Sequence, residues 1–179
     1  MINSEQETFW RGSFGDAYTL RNSTHSQINN FSKIFLENRI FINSAIEIGS
    51  NLGKNLDAIK TLFPGCKTFG IEINNSAFDI LSKKHESYLG SIYDFNTKLS
   101  YDLSISYGVL IHQPPERLND YYEKLFNLSK RYILITEYFS PFPTKVKYRD
   151  HENKLFKRDF AKEFWQKYSN LKLIDYGFF

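Results

Sequence analysis

The fold is decided by ten consecutive residues, Ser44-Ala45-Ile46-Glu47-Ile48-Gly49-Ser50-Asn51-Leu52-Gly53. Residues 44–48 predict a short strand, and apolar residues then recur at helical spacing at positions 52, 56, 59 and 63. The stretch is therefore a strand–turn–helix unit. Gly49 lets the chain leave the strand in a tight turn, and Gly53 lets the next helix pack close to the sheet. The same glycines also fit a βαβ unit that binds nothing.

Strands and helices alternate along the rest of the chain. Further strands are predicted at residues 68–73, 88–92, 101–107, 132–136 and 171–179. Helices are predicted at residues 25–38, capped by Ser23 or Thr24, after an N-cap within residues 74–76, after Pro114-Pro115 and at about 158–168. This order predicts an α/β fold: a Rossmann-like doubly wound, mostly parallel sheet with helices on both faces. Right-handed crossovers place the strand-to-helix loops along one edge, where such sheets bind ligands.

The domain organisation is simple. Residues 1–24 contain an aromatic and glycine cluster whose period fits neither helix nor strand, so we expect an ordered arm or lid. Residues 25–179 are long enough for one domain, within which residues 140–153 are predicted to form a loop containing prolines.

Composition and charge exclude several classes of protein. The net charge of +3, from 23 basic and 20 acidic residues, gives little electrostatic footprint for nucleic acid. The single cysteine, Cys66, excludes a disulfide scaffold or a Cys-rich zinc site. No stretch has the roughly 18 apolar residues of a membrane span, and the N-terminus has no signal-peptide pattern. We therefore expect a cytoplasmic protein that binds neither nucleic acid, nor membrane, nor metal.

The glycine turn and an acidic residue together indicate the type of ligand. The dinucleotide fingerprint is G-x-G-x-x-G, but the spacing here is G-x-x-x-G, with Asn51 where the middle glycine would admit a pyrophosphate. Glu72 ends the second strand, 23 residues after Gly49, where a carboxylate accepts hydrogen bonds from ribose hydroxyls. S-adenosyl-L-methionine has that ribose and no phosphates. Glu47 would then face the cationic end of this cofactor.

The order of elements and motifs resembles that of class I S-adenosylmethionine-dependent methyltransferases. Residues 47–53 resemble the first motif of that family, residues 70–72 the acidic second and residues 108–112 the fourth, while Asn51 departs from the usual glycine. From the turn, the strand ends and the arm, the predicted cofactor-binding residues are Glu47, Gly49, Ser50, Asn51, Gly53, Glu72, Ile73, Ser91, Ile92, Tyr107, Gly108, Trp10, Tyr18 and Arg21.

A closer resemblance covers nearly the whole chain. Residues 9–18 with Arg21-Asn22, residues 137–141 and residues 148–160 are similar to the pseudaminic acid biosynthesis-associated methylases. The resemblance implies an acceptor related to nonulosonic acid sugars. Members of that family continue into another strand, so we expect the last strand of the fold to be missing or replaced here.

Three residues on the ligand-binding edge are candidates for catalysis. His112 follows the fourth strand and is predicted to act as a base or to contact the acceptor; alternatively it is solvated or caps a backbone group. Glu137 ends the fifth strand and is predicted to orient an acceptor hydroxyl or amine, or else to form an ion pair. His151 lies in a basic segment, residues 148–158.

The same basic segment and its neighbourhood supply the predicted acceptor site. Basic side chains interleaved with aromatic ones suit a carboxylate or phosphate, although such clusters are often solvated. The predicted substrate-binding residues are Tyr138, Tyr148, Arg149 and Lys154.

The leading hypothesis is methyl transfer from S-adenosylmethionine to an oxygen or nitrogen of a small, acidic or sugar-like metabolite. One alternative is an NAD-dependent oxidoreductase, against which the missing middle glycine argues. Another is a non-catalytic partner subunit that retains the fold. The sequence does not predict an oligomeric state.

Overall fold

A computed structural model describes residues 4–22 and 28–178 and contains a five-stranded, wholly parallel central sheet. Its strands are β1 (Ser44–Ile48), β2 (Lys67–Glu72), β3 (Glu86–Leu89), β4 (Tyr101–Tyr107) and β5 (Ser129–Thr136), in the order β3-β2-β1-β4-β5. The strand order reverses at β1 and β4, where Ile48 pairs with Ser106. Ligands bind beyond the carboxyl ends of the strands at such a switch point. The predicted Rossmann-like parallel sheet is confirmed.

Helices cover both faces of the sheet and produce two hydrophobic cores. One core joins α3 (Ile28–Glu37), α4 (Lys54–Leu62) and the end of α5 (Asn75–Leu81) to one side of the strands. The other core joins α6 (Leu118–Asn127) and α7 (Phe160–Lys167) to the opposite side. The β1 strand contributes to both cores, Ala45 to the first and Ile46 to the second, as alternating side chains of a doubly covered strand must.

Local signals explain several element boundaries. Asn74 is the N-cap of α5, since its side chain accepts a hydrogen bond from the backbone N–H of Ala77. Two short 3₁₀ turns, Leu110–His112 and Pro115–Arg117, follow β4 and lead into α6. The predicted caps Ser23 and Thr24, and with them the predicted domain boundary between residues 24 and 25, lie outside the described residues.

The N-terminal arm is helical, so the interpretation that its residue pattern fits neither helix nor strand was wrong. It forms α1 (Glu5–Arg11) and α2 (Ser13–Arg21), joined at Gly12. A capping box between Ser4 and Glu7 starts α1. The buried residues of the two helices are Glu7, Gly15 and Thr19, none of them large and apolar. The inward face therefore leaves no hydrophobic pattern in the sequence.

The segment predicted as a loop at residues 140–153 contains most of an antiparallel hairpin, which corrects that prediction. Its strands are β6 (Thr144–Tyr148) and β7 (His151–Lys157), and Tyr148 pairs with His151. Arg149 and Asp150 between them both have positive φ, +46° and +68°, as a two-residue hairpin turn requires. Half of the side chains of the two strands are exposed and the three buried ones are consecutive, so the strand pattern is weak.

Residues 171–178 form no strand, so the prediction of a C-terminal strand at residues 171–179 was wrong for the part that the structure describes. Within the described residues, this segment pairs with no strand, although Leu171 still packs on the core that contains α7. β5 consequently ends the described sheet, and its side chains from Tyr132 to Thr136 are only half-buried.

Candidate active site

A cavity of about 290 Å³ lies at the carboxyl ends of β1, β2 and β4. Its floor and walls are strand ends and loops, and the α1–α2 arm closes over it with Trp10 and Tyr18. Most of the predicted cofactor residues line it, namely Glu47, Gly49, Ser50, Asn51, Glu72, Ile73, Ser91, Ile92, Tyr107, Gly108, Trp10 and Tyr18. Gly53 and Arg21 do not. The fold therefore brings residues that are up to 98 positions apart in the sequence into one concave site.

The turn after β1 is built as the glycine spacing predicts. Gly49 has φ +69°, and a Cβ there would lie 2.6 Å from a methyl group of Val109. Asn51 also adopts a left-handed φ of +47°, which asparagine tolerates better than most residues. Its side chain donates to Thr19 Oγ1 at 3.0 Å and so connects the turn to α2. A Cβ at Gly53 would lie 2.8 Å from both a His85 ring carbon and a Leu81 methyl group, so the glycine permits α4 to approach the end of α5 and the residues after it.

Glu72 is a buried carboxylate whose hydrogen bonds come from the backbone. Its Oε1 accepts from the N–H groups of Ile73 and Asn74 at 2.9 and 2.7 Å, and its Oε2 from that of Asn51 at 2.6 Å. Burial raises the pKa of Glu72, and these backbone bonds oppose the rise. A carboxylate has about four acceptor positions, so three backbone donors leave room for one more. That is one hydroxyl donor, not the two expected for a ribose diol.

Glu47 is an ionisable group in the cavity whose hydrogen-bonding capacity is only half satisfied. It is 1% exposed; Oε1 accepts from the Asn55 side chain, while Oε2 is buried with no hydrogen-bond partner among the described residues. Burial, with the nearby Glu72 charge, raises the pKa of Glu47 to about 8 against the effect of Asn55. A buried oxygen of this kind is costly unless a donor or a cation approaches it. The cavity wall therefore presents a place for a positive group.

The arm is held over the cavity by polar contacts rather than by apolar packing alone. Asn74 Nδ2 donates to the Trp10 carbonyl at 3.2 Å and to Asp16 Oδ1 at 2.9 Å. The Glu7 side chain is hydrogen-bonded to the Ser91 side chain. Burial raises the pKa of Glu7, but the hydrogen bonds from Ser91 and Ser4 outweigh it and lower the pKa below its usual value. Docking of the arm is therefore coupled to the loops that line the cavity.

His112 is the predicted catalytic residue that lines the cavity. It is 7% exposed, and its Nδ1 lies 2.6 Å from the Lys154 carbonyl. Its ring centroid lies 4.6 Å from that of Trp10 and 5.0 Å from that of Tyr148. Burial lowers the pKa of His112 to about 4, and the bond to Lys154 only partly opposes this. The imidazole is therefore neutral at pH 7.

Glu137 lies outside the cavity lining, directly behind it. Its Oε1 accepts from the N–H groups of Val109 and Leu110 and from the Ser106 hydroxyl, all at 2.9–3.0 Å. Burial raises the pKa of Glu137 to about 7 against these bonds. The predicted ion pair is not formed with any residue that the structure describes. Its contacts fix the turn that carries His112.

The predicted acceptor residues surround the arm and do not line the cavity. Lys154 is buried and its ammonium pairs with Glu5 of α1. His151 is exposed and packs on the arm through Phe9, at 4.8 Å between ring centroids. Arg149 and Tyr138 are exposed, and Tyr148 is half-buried between His112 and the arm. The structure thus places these residues outside the cavity lining, with Lys154, His151 and Tyr148 against the arm.

Several lining residues were not predicted from the sequence. They are Gln6, Glu7, Gly15, Asn22, Ile48, Leu52, Lys54, Asn55, Ile71, Asn74, Gly90, Tyr93, Val109 and Gln113. Asn55 has a usable signal, because it lies on the first turn of the helix after the glycine turn. The arm residues have none, since the helical arm itself was missed.

No group of three or more His, Cys, Asp or Glu side chains among the described residues is placed to hold a metal ion. No helix within residues 4–22 and 28–178 has the length and apolar content to cross a membrane.

The chain has the Rossmann-like fold of class I methyltransferases. One similar structure is the Burkholderia thailandensis 1,6-didemethyltoxoflavin-N1-methyltransferase with bound 1,6-didemethyltoxoflavin and S-adenosylhomocysteine. It matches with a TM-score of 0.70 at 13% identity over 93% of this chain and 80% of that one. The DhpI–SAH complex matches with a TM-score of 0.62 at 12% identity over 92% and 84%.

A third similar structure is the plantazolicin methyltransferase BpumL in complex with a monoazolic desmethylPZN analog and SAH. It matches with a TM-score of 0.57 at 17% identity over 74% of this chain and 57% of that one. No protein-family model and no curated protein sequence matches the chain. At these identities the likeness is one of fold, and the resemblance to pseudaminic acid biosynthesis-associated methylases stays a prediction.

Proposed function

We propose that the protein is an S-adenosylmethionine-dependent methyltransferase that acts on an oxygen or nitrogen of a small molecule. The observation that carries the proposal is the pair of acidic residues beside one glycine turn. Glu72 has one acceptor position left for a hydroxyl, and Glu47 has a buried oxygen with no partner. A ligand with a ribose at one point and a cation at another satisfies both.

The residues of the cavity fit this cofactor in distinct ways. Glu72 would accept a hydrogen bond from one ribose hydroxyl, and Glu47 would lose its proton as the ligand's ammonium group approached. Ser91 and Ile92, on the loop after β3, would contact the adenine. When bound, the cofactor supplies a methyl group on a cationic sulfur. Trp10 and Tyr18 of the arm would exclude water above the reactants, which is the lid role expected of residues 1–24.

The finer part of the proposal concerns the acceptor. We propose a small, acidic or sugar-like metabolite, related to nonulosonic acids on the resemblance stated above. Supporting this, neither Arg21 nor Arg149 forms an ion pair within residues 4–22 and 28–178. Burial raises the pKa of Tyr18, and the charges of both arginines oppose that rise. Two guanidinium groups that have no carboxylate partner among the described residues thus lie near Tyr18. A single cysteine, which can form no disulfide within the chain, is consistent with a reducing compartment, so we also propose a cytoplasmic location.

Calorimetric titration with S-adenosylhomocysteine, with NAD as the matched control, tests the proposal. We expect micromolar binding of S-adenosylhomocysteine and none of NAD. Binding of NAD alone would replace the proposal by the oxidoreductase alternative. Binding of neither ligand would contradict the cofactor assignment and favour a non-catalytic partner subunit.

A further inference from the structure

Trp10 and His112 form a polar pair within an aromatic part of the cavity lining. Their ring centroids lie 4.6 Å apart, and both residues line the cavity. Trp10 Nε1 is buried and has no hydrogen-bond partner among the residues described. Because an indole N–H can only donate, it needs an acceptor that the described residues do not supply, and a ligand in the cavity can bring one.

The tautomer of His112 follows from its partner. A carbonyl oxygen can only accept, so at 2.6 Å from the Lys154 carbonyl the Nδ1 of His112 must carry the proton. In the neutral ring, Nε2 then has a lone pair and no proton. Burial lowers the pKa of His112 to about 4, which keeps the ring in this neutral form at pH 7. The pair therefore offers one donor, Trp10 Nε1, and one acceptor, His112 Nε2.

We propose that Trp10 and His112 bind the acceptor's hydroxyl group, so that the methyl group is transferred to oxygen. The inference rests on the proposed methyltransferase function. A hydroxyl donates its proton to His112 Nε2 and accepts from Trp10 Nε1 with one lone pair of its oxygen. The second lone pair remains free for attack on the methyl carbon.

The transfer step balances with these groups alone and a sulfonium methyl donor. The free oxygen lone pair forms the new C–O bond, and the methyl–sulfur bond breaks with its electron pair left on sulfur. The hydroxyl proton moves to His112 Nε2. Positive charge is lost at sulfur and gained at the imidazole, so the net charge of the cavity does not change.

An amine fits the pair less well than a hydroxyl. An uncharged amine nitrogen has a single lone pair, which attack requires. If that lone pair accepts from Trp10 Nε1, the nitrogen cannot react; if it does not, the indole N–H stays unsatisfied. A protonated amine has no lone pair at all. The donor–acceptor pair thus selects oxygen over nitrogen.

Nuclear magnetic resonance tests the proposal in the full chain without knowledge of the natural acceptor. The protein has two tryptophans, and Trp165 serves as an internal control because its Nε1 already donates to the Leu171 carbonyl at 3.0 Å. Benzyl alcohol is the probe, and toluene and benzylamine are its matched controls, added to protein saturated with S-adenosylhomocysteine. We expect benzyl alcohol to move the Trp10 indole proton downfield and the Trp165 proton not at all. Toluene and benzylamine should produce no such downfield shift.

Variants and the ring nitrogens of His112 complete the test. Trp10→Phe should raise the dissociation constant of benzyl alcohol about 2- to 12-fold, the equivalent of one neutral hydrogen bond. The ¹⁵N signals of His112 should show protonated Nδ1 and bare Nε2 in wild-type protein without any ligand. A proton on Nε2, or an indole shift that toluene reproduces, would overturn the proposal. Failure to bind S-adenosylhomocysteine would instead overturn the proposed function, because the tautomer measurement does not depend on cofactor.

Discussion

Substitution of Gly15 by alanine should detach the arm from the cavity. A Cβ at this position would lie 2.0 Å from the Trp10 carbonyl oxygen and 2.8 Å from Asn74 Nδ2. An unstrained contact needs roughly 3.5 Å, so the two helices must separate by about 1.5 Å. The hydrogen bond from Asn74 to the Trp10 carbonyl, now 3.2 Å, cannot survive that movement. Overpacking of this kind costs about 1–3 kcal/mol.

The assay is calorimetric titration of Gly15→Ala with S-adenosylhomocysteine. If binding requires the docked arm, 1–3 kcal/mol corresponds to an affinity about 5- to 150-fold weaker. The control is Gly12→Ala in the same arm, where the backbone is extended and the nearest atom to the new Cβ is 3.3 Å away. Its affinity should remain within about twofold of wild type. Wild-type affinity in Gly15→Ala would refute the arm's role, because in an unconstrained helix Gly→Ala is favourable by about 1 kcal/mol.

Three further predictions concern charged residues. Glu72→Ala should weaken S-adenosylhomocysteine binding by about 1.5–3 kcal/mol, the scale of a hydrogen bond to a charged group. An unchanged affinity in calorimetry would contradict the proposal that Glu72 binds the ribose. Arg149→Ala should raise the KM for the acceptor in steady-state kinetics and leave the affinity for the cofactor unchanged. A weakened cofactor affinity with an unchanged acceptor KM would show that Arg149 binds the cofactor instead. The raised pKa of Glu47, about 8, means that the folded apoprotein holds a proton that the unfolded chain releases near pH 4.5. The contribution of Glu47 to the free energy of unfolding should therefore fall as pH rises from about 4.5 to 8. Glu47→Gln should remove that contribution in urea titrations and leave those of Glu72 and Glu137, which also fall with pH, and those of His85 and His112, which rise. A pH dependence identical to that of wild type would contradict the buried carboxyl.

The central sheet could be predicted because local and long-range requirements agree there. Residues 44–48 are apolar enough to be buried on both faces, and Gly49 then allows the left-handed turn that the fold needs. Glu72 was found because its place at the end of β2 is fixed by the same topology. The backbone donor that Asn51 supplies to Glu72 could not be predicted, since it depends on how the loop of Asn51 folds back.

The arm and the hairpin could not be predicted because tertiary contacts determine them. Gly15 and Thr19 are buried against backbone and polar side chains, so no apolar period marks their face. The basic character of residues 148–158 indicated anion binding, yet Lys154 is engaged by Glu5, which lies 149 positions earlier. A partner so distant along the chain leaves no local trace in the sequence.

The measurement that tests the central claim most directly is a crystal structure of the protein with S-adenosylhomocysteine. We predict that the ligand occupies the cavity at the ends of β1, β2 and β4, with a ribose hydroxyl on Glu72 Oε2, its ammonium group at Glu47 and Trp10 above it. A ligand bound elsewhere, or one in this cavity that touches neither carboxylate, would contradict the account.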